Sequence, residues 1–204
     1  MKTKFKVLML LGATVFLTGS FAFKPLEAKK IIVIDAGHGG HDLGAKIYDF
    51  DEKTIVEAIS KKIKESNKNE NIEIVLLREG DHFMELSERV SIINNLKPNL
   101  VISLHVSSTI NDWKKDQMDA YVSSKNEKFK QESIESAEKL LSNVSNESLT
   151  KGKVKEAPFY IMKNSECPSV LLELGYLTNE KNREYITSEN GQNEIASKIL
   201  EAIK

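Results

Sequence analysis

The chain has 204 residues, which predicts one domain large enough to bury a sizeable core. Its 29 basic and 30 acidic side chains are interspersed and leave a formal charge of −1, so the basic face of a nucleic-acid binder is missing. Aromatic residues make up 7%, too few to advertise a stacking platform, and the single cysteine, Cys167, excludes an intrachain disulfide.

The first segment reads as an address rather than as part of a fold. Lys2, Lys4 and Lys6 form a positive start, Val7 to Leu17 is apolar, and Ala22 and Ala28 each offer a small residue for cleavage. Residues 1–28 are therefore expected to be a signal peptide, and residues 29–204 the functional domain. The apolar run is shorter than the roughly 20 residues of a comfortable membrane span. An uncleaved N-terminal anchor is the alternative. Either way the working part of the chain is expected outside the cytoplasm, periplasmic or secreted, with no stable membrane insertion after cleavage.

From there strands and helices alternate, the pattern of an α/β sheet. Lys29 to Asp35 predicts the first strand, and Ala36 to Asp51 a Gly-rich loop. Glu52 to Ser66 predicts a helix with Ile55, Val56, Ile59 and Ile63 on one face. Asn71 to Leu77 predicts a strand and Leu86 to Leu96 a helix, stopped by Pro98. Val101 to Val106 is a fully apolar strand, expected near the sheet centre. Ala120 to Ser123 is a weaker strand, Glu127 to Val144 a long helix, and Ser145 to Glu156 a polar loop. Phe159 to Met162 and Val170 to Leu174 are expected to be strands on either side of Pro168, and Asn193 to Ile203 a closing helix. The expected fold is one α/β domain, a central mixed and mostly parallel sheet with helices on both faces. Adjacent glycosylation sequons at Asn143 and Asn146 matter only in a glycosylating pathway.

Four residues carry chemistry. His38 follows the first strand, His105 ends the apolar strand and Glu173 ends Val170-Leu171-Leu172, while Glu52 opens a helix. In open α/β sheets ligands bind beyond the carboxyl ends of the strands. Two imidazoles and two carboxylates brought to that edge suit one Zn²⁺ with an open position plus a general base. Each has a plainer reading. His38 is a loop histidine, Glu52 a carboxylate favoured by the helix dipole, and His105 a buried, satisfied histidine. Glu173 resists such a reading, because a carboxylate on a buried strand costs several kcal/mol unless it is paired or bound to metal. No compact H-E-x-x-H motif is present.

Other residues are read as structural. Gly37, Gly39 and Gly40 fail the G-x-G-x-x-G dinucleotide pattern, because Asp42 takes its last glycine position. His41 and His82 are expected to be solvated loop residues. Cys167 precedes Pro168 with no basic neighbour in sequence, so a packed thiol is expected rather than a nucleophile.

The ordered segments resemble one family. Ile34-Asp35-Ala36-Gly37-His38-Gly39-Gly40-His41-Asp42-Leu43-Gly44-Ala45 is similar to the opening motif of the zinc-dependent N-acetylmuramoyl-L-alanine amidases, the amidase-3 family. Glu52-Lys53, Arg78-Glu79-Gly80-Asp81 with Leu86-Ser87-Glu88-Arg89, Ser103-Leu104-His105, and Cys167 to Asn179 resemble its later segments in order. The resemblance runs from about Ile31 to the C-terminus. It implies one Zn²⁺ per chain held by His38, Glu52 and His105, with Glu173 as catalytic base and acid. The implied substrate is peptidoglycan or its muropeptides, cut between N-acetylmuramic acid and L-alanine. Separately, a monomer is expected. The resemblance does not assign substrate-binding residues.

Two departures stand out. Val106-Ser107-Ser108 replaces the small residue and Asn that commonly follow the third ligand, and the loop Thr109 to Gln117 carries Trp113 and several charges. Some relatives insert a blocking helix between the third ligand and the glutamate. Here one strand, one helix and one strand are expected to fill that stretch, so the groove is expected to be open. The rival functions are a non-catalytic wall-binding module and a zinc peptidase acting on the stem peptide.

Overall fold

A computed structural model describes residues 28–204. The expected signal peptide therefore lies outside the described residues, apart from Ala28. Among the described residues no helix is long and apolar enough to cross a membrane.

A six-stranded sheet forms the middle layer. Its strands are β1 (Lys30–Ala36), β4 (Ile72–Leu76), β5 (Leu100–Ser107), β6 (Gln117–Ser123), β7 (Thr150–Ala157) and β8 (Ser169–Tyr176), in the order β4-β1-β5-β8-β6-β7. β4, β1, β5 and β8 are mutually parallel, and the β6–β7 pair runs the other way. A separate small hairpin joins β2 (Lys46–Ile47) and β3 (Phe50–Asp51). The central strands β1, β5 and β8 are apolar because both of their faces are covered, as parallel sheets require.

One face is covered by α1 (Glu52–Ser66), α3 (Lys130–Val144), α5 (Glu180–Thr187) and α6 (Glu189–Ala202). Ile55, Val56, Ile59 and Ile63 of α1 meet Ile34, Ile102 and Leu104 of the sheet, together with Ile195 and Ile199 of α6. A smaller core on the other face packs α2 (Leu86–Leu96) and the short α4 (Tyr160–Asn164) on Val33, Val101 and Leu171. Helices thus lie on both faces, as expected. Asp51 caps α1 by accepting the Thr54 amide at 3.0 Å. Lys97 ends α2 in the left-handed region at φ 49°, just before Pro98.

Two sequence expectations fail. The predicted loop over Ser145–Glu156 contains β7, an edge strand whose polar residues meet solvent and so hide its β character. The predicted strand Phe159–Met162 is instead mostly the helical turn of α4, which tucks Ile161 and Met162 into the smaller core. The expected closing helix forms as α6, which starts four residues earlier than Asn193, where Ser188 caps it by accepting the Gly191 amide at 3.0 Å; α5, which precedes it, has no counterpart in the sequence reading. The Gly-rich loop also contains β2 and β3, and the stretch from His105 to Glu173 holds an additional strand and a short helix.

Candidate functional site

His38, Glu52 and His105 converge at the carboxyl ends of the central strands. His38 lies just past β1, His105 is on β5, and His105 pairs in register with Glu173 on β8. β5 runs one residue and β8 two residues beyond the expected end, with a register shift immediately after this pair. Glu52 arrives from the other direction. The β2–β3 hairpin turns the chain back, and the Glu52 amide donates to the Ala45 carbonyl at 2.8 Å.

The Glu52 carboxylate is the hub. Oε1 accepts from the Val106 amide at 2.9 Å and lies 2.8 Å from His105 Nδ1. Oε2 accepts from the Ala45 amide at 2.7 Å and lies 3.1 Å from His38 Nε2. One ligand atom from each of the three residues falls within 4.8 Å of the others. His38 Nδ1 is held by Asp42 at 2.8 Å, which leaves Nε2 for an ion, the carboxylate–histidine arrangement that orients metal ligands. Two imidazoles and a carboxylate are a three-residue donor set that fits zinc with a free fourth position.

The backbone around His38 is clamped. His38 sits at φ 60°, an uncommon conformation for a residue with a side chain. Arg89 donates to the carbonyls of Ala36 and His38 at 2.8 and 2.6 Å, and Arg78 to those of Ala36 and Gly37, both at 3.1 Å. Both guanidiniums are buried and compensated, Arg89 by Asp35 at 2.5 Å and Arg78 by Glu57 at 2.8 Å. Asp35 accepts in turn from Ser103 Oγ at 2.6 Å. At Gly37 any Cβ would lie 2.5 Å from the His105 ring, so only glycine lets the His38 segment approach His105.

A cavity of about 530 Å³ opens at this centre. His38, His105 and Glu173 share its lining with an apolar wall that includes Phe83, Leu86, Phe159 and Tyr160.

Comparison with known proteins agrees with the geometry. The Amidase_3 family, described as N-acetylmuramoyl-L-alanine amidase, matches residues 32–204. The chain belongs to the N-acetylmuramoyl-L-alanine amidase family. It is 33% identical to the uncharacterized protein YqiI of Bacillus subtilis (strain 168), over 89% of this chain and 86% of that one. It superimposes on the catalytic domain of CwlV, an amidase from Bacillus (Paenibacillus) polymyxa var. colistinus, with a TM-score of 0.77 and 32% identity, covering 85% of this chain and 96% of that one. An N-acetylmuramoyl-L-alanine amidase from Clostridium difficile 630 gives a TM-score of 0.79 at 25% identity, covering 86% and 95%. The chain is thus an amide hydrolase that acts on peptidoglycan.

The charges of this amidase are set by the same contacts. Burial would raise the Glu52 carboxyl, but hydrogen bonds from His105 and His38 hold it at about 2. Burial works against a charged His38 ring, yet Glu52 and Asp42 lift it to about 9. Glu173 moves the opposite way. Burial, with smaller contributions from Glu52 and Asp119, pushes it up to about 7 against the pull of His105. Burial also lifts the Cys167 thiol to about 12, which agrees with a packed thiol.

The raised Glu173 value has a stability consequence. Between 4.5 and about 7 the folded chain holds a proton that the unfolded chain has released, so this group's contribution to stability falls with rising pH. The difference amounts to about 3 kcal/mol above pH 7. In chelated protein, Glu173→Gln is neutral throughout and should gain that amount relative to the parent between pH 4.5 and 8. Urea unfolding at several pH values measures it, and a gain that does not vary with pH would contradict it.

Asp42, the two arginine clamps and Asp119 were not singled out for roles in the sequence. Their partners lie across loops and neighbouring strands, where linear spacing gives no signal. Asp42 is the exception in distance, four residues from His38, but a Gly-rich loop has no period to reveal the pairing.

Proposed function

We propose that this chain is a zinc hydrolase that cleaves the amide between N-acetylmuramic acid and L-alanine. The observation that carries the reading is the convergence of His38, Glu52 and His105 at a cavity whose lining both imidazoles share with Glu173, whose carboxyl is poised at about 7. His38, Glu52 and His105 hold one ion per chain. Zinc at such a set supplies a water with a pKa near 7 and a Lewis acid for the scissile carbonyl. Glu173 takes a proton from the attacking water and delivers it to the departing alanine nitrogen. A carboxyl near 7 suits both halves of that transfer, since it can accept the proton and also give it up. Asp42 orients His38, and the amides of Ala45 and Val106 fix the Glu52 carboxylate. The apolar wall limits water around the reacting amide. The work is done outside the cytoplasm, after removal of residues 1–28 as a signal peptide.

The test incubates metal-loaded protein, residues 29–204, with purified peptidoglycan and follows soluble products by mass spectrometry. Free stem peptides that begin at L-alanine, and that vanish on chelation, are expected. Cuts inside the stem would assign a peptidase instead. Binding without cleavage in a zinc-replete sample would assign a non-catalytic module.

A further inference from the structure

The metal-side face of the sheet continues past Glu173 toward the β7 edge, and its chemistry changes there. Asp119 of β6 lies directly across from Glu173 of β8, and Tyr121 across from Leu171. Residues paired in this way point to the same face. Tyr121 pairs in turn with Lys155 of β7 and packs edge-on against Phe159, which lines the cavity together with Glu173. One surface therefore runs from His105 through Glu173 and Asp119 to Lys155.

A bulge aims the lysines onto that surface. Lys151, Lys153 and Lys155 alternate along β7 and would share one face in a regular strand. The register shifts between Met118 and Ala120, where Gly152 and Lys153 together oppose Asp119. Lys151 accordingly reaches Ser142 on α3, at 2.9 Å, on the far side of the sheet. Lys155 instead reaches Asp119 at 2.5 Å, and Lys153 alternates onto the same side. The bulge depends on Gly152, since a Cβ there would lie 2.3 Å from Asp119 Oδ1. The freed Lys153 amide donates to Asp119 at 3.0 Å.

Charge then accumulates beside the glutamate. Asp119 is buried and balances one ammonium group. Lys155 is still 41% exposed, and an ammonium has three donors, of which Asp119 takes one. Lys115, from the loop that follows β5, places its Nζ 4.6 Å from the centre of the Tyr176 ring. Tyr176 ends the same strand that carries Glu173. Lys115, Lys153 and Lys155 thus outnumber Asp119, the acid that pairs with Lys155, on the part of the surface beyond Glu173.

We propose that Lys115, Lys153 and Lys155 form a carboxylate-binding shelf that selects stem peptides bearing a free side-chain or α-carboxylate. The inference rests on the peptidoglycan reading above and names three specificity residues for it. The shelf adjoins Glu173, the group that protonates the leaving nitrogen, and the peptide is the portion that leaves with that nitrogen. Lysine ammonium groups recognise a carboxylate through charge-assisted hydrogen bonds. Their spread over an open edge makes the recognition sensitive to salt.

The experiment compares two muramoyl peptides that differ only in whether the stem carboxylates are free or amidated. The zinc-loaded parent is expected to show a kcat/KM roughly tenfold higher for the free form at low salt. Lys153→Gln combined with Lys155→Gln, and separately Lys115→Gln, should bring that ratio toward one. Calorimetry on the same ligand pair reads the preference as affinity, without turnover. A parent that cleaves both forms equally and binds them equally overturns the shelf while leaving the amidase reading intact. A parent that cleaves neither form overturns the function reading, and calorimetry then decides the shelf alone. Variants that lose the free and the amidated ligand in equal proportion would also overturn it.

Discussion

Glu173→Gln is expected to bind zinc as the parent does and to lose roughly 10²–10⁴-fold in turnover, the usual worth of a positioned acid–base group. The amide keeps the size of the carboxyl, so the cavity and the β5–β8 pairing should persist. What disappears is a group able to hold a proton at one moment and release it at the next. Glu173 is pushed to about 7 mainly by burial on β8. A solvent-exposed carboxylate, near its ordinary 4.5, would be a weaker base toward a water of pKa near 7. Metal content by atomic emission and kcat on a muramoyl peptide measure the two halves of this prediction. Turnover within about tenfold of the parent would remove Glu173 from the proton transfer. A zinc-free variant would instead make it a ligand.

Much of this site was legible because its residues break strong patterns. Val101 to Leu104 is apolar except for Ser103, so His105 stands out at the point where the strand leaves the core. Glu173 stands out against Val170, Leu171 and Leu172 for the same reason. A charged or polar group set into a buried strand is expensive, and that expense is what makes it conspicuous. Glu52 was the least distinctive of the four, since a helix start favours a carboxylate in any protein. Only the fold shows it accepting two amides and facing both imidazoles.

The misread elements have other causes. β7 is an edge strand, and its Lys-rich sequence follows the needs of solvent and of the face beside Glu173 rather than of a core. Phe159 to Met162 has the composition of a strand, yet it folds mostly as one helical turn that delivers Phe159 and Tyr160 to the cavity wall. Tertiary context overrides weak β-propensity over so short a run. The helix that the sequence reading missed, α5, is set by local chemistry that periodicity does not report. Asn179 caps one helix by accepting the Asn182 amide, and Ser188 caps the next. The arginine clamp lay in plain view as Arg78 and Arg89, but its partners are backbone carbonyls, which every residue has.

His105→Ala is expected to lower zinc affinity by at least about a hundredfold, since even removing an outer partner of a metal ligand costs about 10–100-fold. The argument runs through Glu52. In the parent, one carboxylate oxygen faces His38 and the other faces His105. Loss of the His105 ring would leave two residues of the proposed ligand set, while the amides of Ala45 and Val106 still fix the Glu52 carboxylate. Such a set cannot close three points around an ion. The Asp42→Ala variant supplies the graded comparison. All three residues of the proposed ligand set stay, but His38 Nδ1 loses its partner at 2.8 Å, so affinity should fall only about 10–100-fold. Both variants should grow weaker still on acidification, because an imidazole must be neutral to bind a metal. Competition with a zinc chelator at pH 6 and pH 8 measures all of these effects. If His105→Ala bound zinc as tightly as the parent, the ion would have to sit elsewhere, and the paired contacts of Glu52 would be an ordinary buried ion-pair network rather than the frame of a metal centre.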